Sequence, residues 1–386
     1  MYPFIWDISS EIFTIGNFPI RYYSLLFALG FVVGKPLISW IIKKEGVKNF
    51  DVDKFLGGMI IATTLGARLG HCFFYQWDYF SHHLLEIILP FQFYPHFKIT
   101  GFAGLASHGA AVAITIFLFL YSKYYFDVSI KNFNFSIRRK RDFRFLWLAD
   151  KVVICVALAG GFIRLGNFMN SEVYGVPTSD KAGIIFTNGI TTEIKNTGSF
   201  IEEVSVKKSN LSREKFYQPI DISIFFTKNA QNEEAIKNFI EGEIHKILSS
   251  KYRKNIYDHI MHRRENPITY SLVKNNGKYT AMVNTLGIVR HPSQLYEAIS
   301  CFFIFLFLLF YWYVSKFKPK DGRIFGIFLF AVFSLRFYYE KFKSADLFFK
   351  NGFMDLTIPQ ALSIPAIIFG VLIFFWSDLE KFFKKK

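Results

Sequence analysis

The apolar residues of this chain gather into blocks. Runs at 22–42, 55–76, 102–122, 147–166, 294–314, 324–340 and 358–377 are each about 17–22 residues long, enough to cross a hydrocarbon core as a helix. A helix satisfies its own backbone hydrogen bonds, which lipid cannot do for it. The pattern therefore predicts seven spans. The first run lacks the charged start and small-residue cleavage site of a removable signal peptide, so it is expected to remain as a span.

Between the fourth and fifth runs the pattern changes. Residues 176–290 are rich in Lys, Glu, Asn and Ser, with few long apolar stretches. "FYQPIDISIFF" (216–226) alternates as a strand does, and "YSLVKNNGKYTAMV" (270–283) reads as a hairpin turning at Asn275, Asn276 and Gly277. "NEEAIKNFIEGEIHKILSSKYRKNIYDHI" (232–260) has helical spacing, with Asn232 or Asn229 as its N-cap. The histidines of this segment, His245, His259 and His262, read as solvated. The predicted class is an all-α polytopic membrane protein with seven transmembrane helices and a small mixed α/β extracytoplasmic head. The predicted division is 1–175, 176–290 and 291–386, the middle part being the head insertion.

Composition sharpens this picture. Hydrophobic residues are 52% of 386, and the formal charge is +16. Such a charge would suit nucleic acid, but its placement excludes that use. Lys43, Lys44, Lys48 and Lys54 follow the first run. Lys123, Lys131, Arg138, Arg139, Lys140, Arg141 and Arg144 follow the third, and Lys316, Lys318, Lys320 and Arg323 follow the fifth. The alternate segments are poorer: 1–20 and 77–101 hold only Lys98, and 341–357 holds Lys341, Lys343 and Lys350. Positive charge on every second loop is the positive-inside rule. It places the N-terminus and head outside, the C-terminus in the cytoplasm, and the basic loops against anionic membrane lipids. Cys72, Cys155 and Cys301 fall within predicted spans without metal-ligand or CxxC spacing, so they are expected to pack as small hydrophobes.

Polar residues interrupt the apolar runs. A charged group at mid-bilayer costs roughly 2.5–3.5 kcal/mol on insertion scales, so each needs a partner or a purpose. Arg68 lies in "LGARLGH", Arg164 in "GFIRLGN", and Arg336 and Glu340 in "SLRFYYEKFK". His108 sits in "GLASHGA", and "HPSQLYEA" holds His291, Gln294, Tyr296 and Glu297. The first run opens with Arg21, Tyr22 and Tyr23. With the N-terminus outside, all of these fall in the outer halves of their spans. Arg164, Asn167 and Asn170 or Ser171 recur at helical spacing and share a face. Each residue also has a plain structural reading. Arg336 and Glu340 suit an i, i+4 pair, Arg21 and Arg68 suit snorkelling or capping, and His291 before Pro292 suits a helix start. Together, however, three arginines against two carboxylates make a surplus positive pocket open to the outer side. The anion abundant there is a phospholipid phosphate, which the planar guanidinium matches in two-pronged fashion.

At 160–175 the chain reads "GGFIRLGNFMNSEVYG", which resembles the signature of the prolipoprotein diacylglyceryl transferase family, G-R-x-G-N-F-x-N-x-E-x-x-G with small variations. "HPSQLYEA", "GARLGHCFFY" and "LRFYYEKFK" are similar to further blocks of that family, and together they cover nearly all of the apolar part. The chain departs from the family pattern in three places. "AGLASHGA" stands where G-G-M-S-x-H-G-G is usual, Val332 where tyrosine is frequent, and Lys343 where arginine is common. The head is longer than usual, sharing only "GVPTSDKAGIIF" at its start.

The resemblance implies a bacterial inner-membrane enzyme. It moves the sn-1,2-diacylglyceryl group of phosphatidylglycerol to the lipobox cysteine of a prolipoprotein signal peptide, releasing glycerol 1-phosphate. It implies roles for Arg164, Asn167 and Glu172 from the signature, His108, Arg336 and Tyr23. The expected catalytic set is His108, Arg164 and Arg336. The expected substrate-binding set is Tyr23, Arg68, Asn167, Asn170, Glu172, Gln294, Tyr296, Glu297 and Glu340. No metal or cofactor is implied, because one substrate brings the nucleophile and the other the leaving group. Two other classes share these features: a catalytically inactive lipid-binding relative, and a transporter or flippase, whose substrate path also needs polar groups in its spans. The cytoplasmic halves of the runs carry few polar groups, which speaks against a through-going path.

Overall fold

A computed structural model describes residues 3–16, 18–48, 50–89, 91–92, 97–99, 104–129, 134–139, 143–228, 232–343 and 356–384. Lys131, Lys140, Arg141, Lys350, the alternative cap Asn229 and the start of the third apolar run at 102–103 lie outside the described residues. A helix lies in each apolar run: Tyr22–Lys44, Val52–Phe74, Ser107–Lys123, Phe145–Met169, Ser293–Val314, Arg323–Tyr339 and Ile358–Lys384, while 75–76 of the second run and 104–106 of the third are not helical. Among the described residues, four helices are long and apolar enough to cross a membrane: Tyr22–Lys44, Phe145–Met169, Ser293–Val314 and Ile358–Trp376. Ser107–Lys123 is apolar but only 17 residues long. Val52–Phe74 is diluted by Asp53, Lys54, Arg68 and His71. An all-α class does not cover what is present, because the chain also carries a substantial sheet.

The chain forms two compact units. One comprises 1–27, 160–301 and 334–364, and the other 28–159, 302–333 and 365–386. In the first, a five-stranded sheet runs in the order Ile260–Met261, Lys278–Ile288, Tyr217–Phe226, Ile201–Lys208, with Thr269–Asn275 also paired to Lys278–Ile288. Its pairs are antiparallel, with Ile222 opposite both Val283 and Val206. Strand periodicity then sends Ile220, Ile222, Ile224 and Phe226 to one buried face, where Ile236, Ile240, Ile244 and Ile247 cover them. The predicted hairpin is present, with Asn276 at φ 50° and Gly277 at φ 79°. Two successive left-handed residues suit the twist of a tight hairpin. Asn232 caps the helix Glu233–Phe239, its side chain accepting from the amide of Ala235 at 3.0 Å.

The helical reading of 232–260 is corrected beyond Ser249. A π-helical turn at Ile240–Ile244, holding Gly242, joins Glu233–Phe239 to His245–Ser249. Ser250 then turns extended (ψ 115°), and a short helix Lys254–Tyr257 precedes the strand Ile260–Met261. The polar stretch Lys251–Tyr252–Arg253–Lys254 offers no apolar stripe to continue the helix. His259 is a second correction. It is 3% exposed and packs against Tyr174 and Phe186, with ring centroids 4.4 and 5.4 Å apart.

In the second unit, Val52–Phe74 and Ser107–Lys123 cross at small residues. A Cβ on Gly109 would lie 2.2 Å from the carbonyl oxygen of Gly66, so only glycine permits this approach. Asp51 caps the first of these helices through the amide of Lys54 at 3.0 Å. The same unit buries an ion pair between Lys151 and Glu45 at 2.7 Å. The three cysteines are free; Cys72 is buried and the other two partly so.

Candidate active site

The chemistry-bearing residues of the first unit come from three chain segments. The helix Phe145–Met169 supplies Arg164 and Asn167, and the loop after it supplies Asn170 and Glu172. The helix Ser293–Val314 contributes Gln294, Tyr296 and Glu297 from its first turns. The turn Glu340–Phe342, after Arg323–Tyr339, leads to Lys343.

Glu297 is the hub. It pairs with Arg164 Nε at 2.6 Å, and its other oxygen accepts from Lys343 Nζ. Two cations therefore share one carboxylate. Arg164 keeps 31% of its side chain exposed, so the guanidinium retains an open side. Its Nη1 reaches Asn167 Oδ1 at 3.4 Å. Asn167 Nδ2 donates to Glu172 Oε1 at 2.8 Å, and Asn170 Nδ2 donates to the same oxygen at 3.3 Å. The helical spacing of Arg164 and Asn167 makes this relay possible, since residues three apart are neighbours on one face.

Gln294 is buried, and its Nε2 donates to the backbone carbonyl of Glu172 at 2.7 Å. Tyr296 lies beside His291, with its hydroxyl 3.3 Å from Nδ1. Tyr23 packs against the signature helix at Gly166, where a Cβ would sit 2.8 Å from its ring. Three buried polar atoms of the same loop and helix start have no hydrogen-bond partner among the described residues: Asn170 Oδ1, Ser171 Oγ and Gln294 Oε1. Buried polar atoms are rarely left unpaired, so such a group marks a place suited to a polar ligand.

Glu340 and Arg336 belong to the first unit as well. Glu340 is buried at 6% exposure, while Arg336 is exposed on the last helical turn. No ion pair joins them among the described residues. The α-helix ends at Tyr339, and Glu340 opens a 3-10 turn in which it is buried while Arg336 stays exposed. Arg68 belongs to the second unit. It is buried, donates to the carbonyls of Ile87 (3.3 Å) and Glu86 (2.7 Å), and stacks over Phe80. Its guanidinium thus braces the turn Leu85–Ile88. His108, also in the second unit, is exposed in the first turn of Ser107–Lys123, edge-on to Phe74 at 5.2 Å.

Lys343 is the member of the Glu297 cluster absent from the expected site residues, although it reads both as a loop charge and as the position where the family commonly has arginine. Its position three residues after Glu340 was the available signal. Ser293 was also missed; its hydroxyl donates to the carbonyl of Val173 at 2.8 Å.

This arrangement, a cationic cluster on a shared carboxylate beside unpartnered polar atoms, belongs to a chain with membrane-length apolar helices. A family model described as prolipoprotein diacylglyceryl transferase matches residues 10–376, and the chain belongs to that family. Among its relatives, a protein of Chloroherpeton thalassium named phosphatidylglycerol–prolipoprotein diacylglyceryl transferase is 27% identical, over 97% of this chain and 96% of its own length. Proteins of the same name from Tolumonas auensis and Bacteroides fragilis are each 26% identical, over 97% of this chain and 98% and 96% of theirs.

Proposed function

We propose that this chain is a phosphatidylglycerol–prolipoprotein diacylglyceryl transferase, which moves a diacylglyceryl group from the lipid to the lipobox cysteine of a prolipoprotein. The observation that carries the reading is the Arg164–Glu297–Lys343 cluster with Asn167 and Glu172 attached, on a chain matched by the family over 10–376.

The reaction needs a thiolate and a stabilised leaving phosphate. A cysteine thiol has a pKa near 8.5, so only about a few per cent is ionised at neutral pH. His108 is the proposed base that accepts the thiol proton. The thiolate sulfur bonds to C3 of the diacylglycerol unit, and the C3–O bond to phosphate breaks. The electron pair leaves with glycerol 1-phosphate, whose phosphate gains charge. Arg164 and Arg336 are the proposed cations that stabilise that charge, a contribution that preorganised groups in a low-dielectric site make well. Asn167, Asn170 and Glu172 orient Arg164 and the glycerol head group. Tyr23, Gln294, Tyr296, Glu297 and Glu340 line the substrate, and Arg68 serves by bracing the 85–88 turn.

The accompanying topology is seven spans in the bacterial inner membrane, with the N-terminus and the 176–290 head outside and the C-terminus in the cytoplasm. It is supported by the alternating loop charge. The division at 175 and 290 follows the change of composition.

The test is incubation of membranes containing this chain with labelled phosphatidylglycerol and a synthetic lipobox peptide, with a Cys→Ser peptide as control. Thiol-dependent labelling with release of glycerol phosphate is the expected result. Lipid binding without labelling would identify an inactive relative instead. Near-normal turnover by His108→Gln would remove the base role and leave the phosphate role standing.

A further inference from the structure

The loop that carries Glu172 is strained. Ser171 has φ 52° and Val173 has φ 58°, so both neighbours of Glu172 are in the left-handed region. For a β-branched residue this is a rare conformation that persists only where the surroundings over-determine it. One short segment, 290–294, holds the carbonyls of this loop. Gln294 donates to the carbonyl of Glu172 at 2.7 Å, Ser293 to that of Val173 at 2.8 Å, and Arg290 Nη1 to that of Gly175 at 3.2 Å. Three carbonyls of a four-residue stretch are thus held by three side chains of a five-residue one.

Arg290 is fixed in turn by the sheet-bearing part of the same unit. It is 9% exposed, and its backbone pairs with Ile184 in both directions at 2.9 Å. Its Nε donates to the carbonyl of Asp258 at 2.6 Å, and the guanidinium lies 4.9 Å over the ring of Tyr174. Tyr174 donates its hydroxyl to the Asp258 carboxylate, which closes the circuit. Asp258 precedes the edge strand Ile260–Met261 by one residue, His259.

We propose that Arg290, with Ser293, is a positioning residue for the transfer: it holds the strained 171–175 loop so that Glu172 faces Asn167 and Arg164, and Asp258 of the head seats it. The head insertion thereby acts as a jig for the signature loop. This inference rests on the reading of function above.

The experiment measures transfer from labelled phosphatidylglycerol to a lipobox peptide by the full chain in detergent–lipid micelles. Misplacing a reacting group by about an ångström costs roughly 100-fold, so Arg290→Met is expected to lower kcat by about 10- to 100-fold with the peptide KM unchanged. The discriminating variant is Val173→Gly, because glycine adopts positive φ without strain and needs less holding. Added to Arg290→Met, it is expected to restore kcat to within about threefold of Val173→Gly alone. A general loss of stability would not be rescued in this way. If Arg290→Met does not accumulate as folded protein, Ser293→Ala, which removes only the donor to Val173, replaces it in the same pair. Full activity in Arg290→Met (or in Ser293→Ala where it replaces it), or a loss that Val173→Gly leaves untouched, would overturn the inference alone. No transfer by the unaltered chain would overturn the functional reading and this inference with it.

Discussion

Among the described residues, each unit holds a polar cluster centred on one glutamate, Glu45 in the second and Glu297 in the first, and the two are built on opposite plans. In the second unit Glu45 is enclosed. One oxygen accepts from Lys151 and from the Trp312 indole, both at 2.7 Å, and the other from the Trp147 indole at 2.8 Å. The Lys151 and Glu45 side chains are 1% and 7% exposed. Nearby, fully buried Asp150 accepts the amides of Gly322 and Phe325 at 2.8 and 2.7 Å, anchoring the start of the helix Arg323–Tyr339. In the first unit Glu297 also has both oxygens engaged, but Arg164 remains about one-third open and three neighbouring polar atoms have no partner among the described residues. A buried polar network with its partners present is a structural device. One with a partly open guanidinium and unmatched polar atoms is suited to a guest.

The comparison can be broken first at the enclosed cluster. Lys151→Met should leave Glu45 charged, buried and unpaired, which costs about 3–5 kcal/mol. The expected outcome is a large fall in thermal unfolding temperature in detergent, largely recovered by the double change Glu45→Gln with Lys151→Met. At the open cluster the pattern should invert. Arg164→Lys keeps the charge but loses the planar fork, so transfer should fall by about 100-fold or more while the unfolding temperature barely moves. Equal stability losses at Lys151 and Arg164 would erase the distinction.

Lys343→Met tests the shared carboxylate. Removing one cation from Glu297 should raise the phosphatidylglycerol concentration for half-maximal rate by about tenfold, the worth of one hydrogen bond to a charged group. Enzyme assays across lipid mole fraction in mixed micelles would read it.

Acidity should act on the head. Burial, reinforced by the charge of Arg290, pushes the His259 imidazole down to about 3 from an ordinary value of 6.5. The folded state thus keeps His259 neutral where the unfolded chain would take up a proton. The full stability is present above pH 6.5 and is lost progressively as pH falls from 6.5 towards 3, at up to about tenfold in the folding constant per pH unit. Hydrogen exchange of the 260–288 amides between pH 7 and pH 5 should show this opening, and His259→Phe should flatten its pH dependence. The smallest effect is expected from Val173→Gly alone. Relief of the left-handed strain and the greater freedom of glycine in the unfolded chain oppose each other, leaving a change below about 1 kcal/mol in a melting experiment.

Much of this arrangement is legible in the sequence. The apolar runs located the helices, because a stretch of that length and composition must satisfy its own backbone. Asn232 and the Asn276–Gly277 pair marked a helix start and a hairpin through local hydrogen bonding and backbone freedom alone. The spacing of Arg164 and Asn167 put both on one helical face, and their bond at 3.4 Å needs nothing beyond that helix.

What the sequence could not settle depends on residues far apart along the chain. Glu297 meets Lys343 across 46 positions, and Glu45 meets Trp312 across 267. No periodicity encodes such encounters. Arg68 looked like a pocket arginine, but the turn Leu85–Ile88 folds back to take its donors. His259 looked solvated in a polar segment, but Tyr174 and Phe186 close over it. Local pattern determined which residues form helices and strands, and which chemistry was available. Only the tertiary structure decided which charges were enclosed and which were left open, because burial and partnership are set by what packs against a residue rather than by its neighbours in sequence.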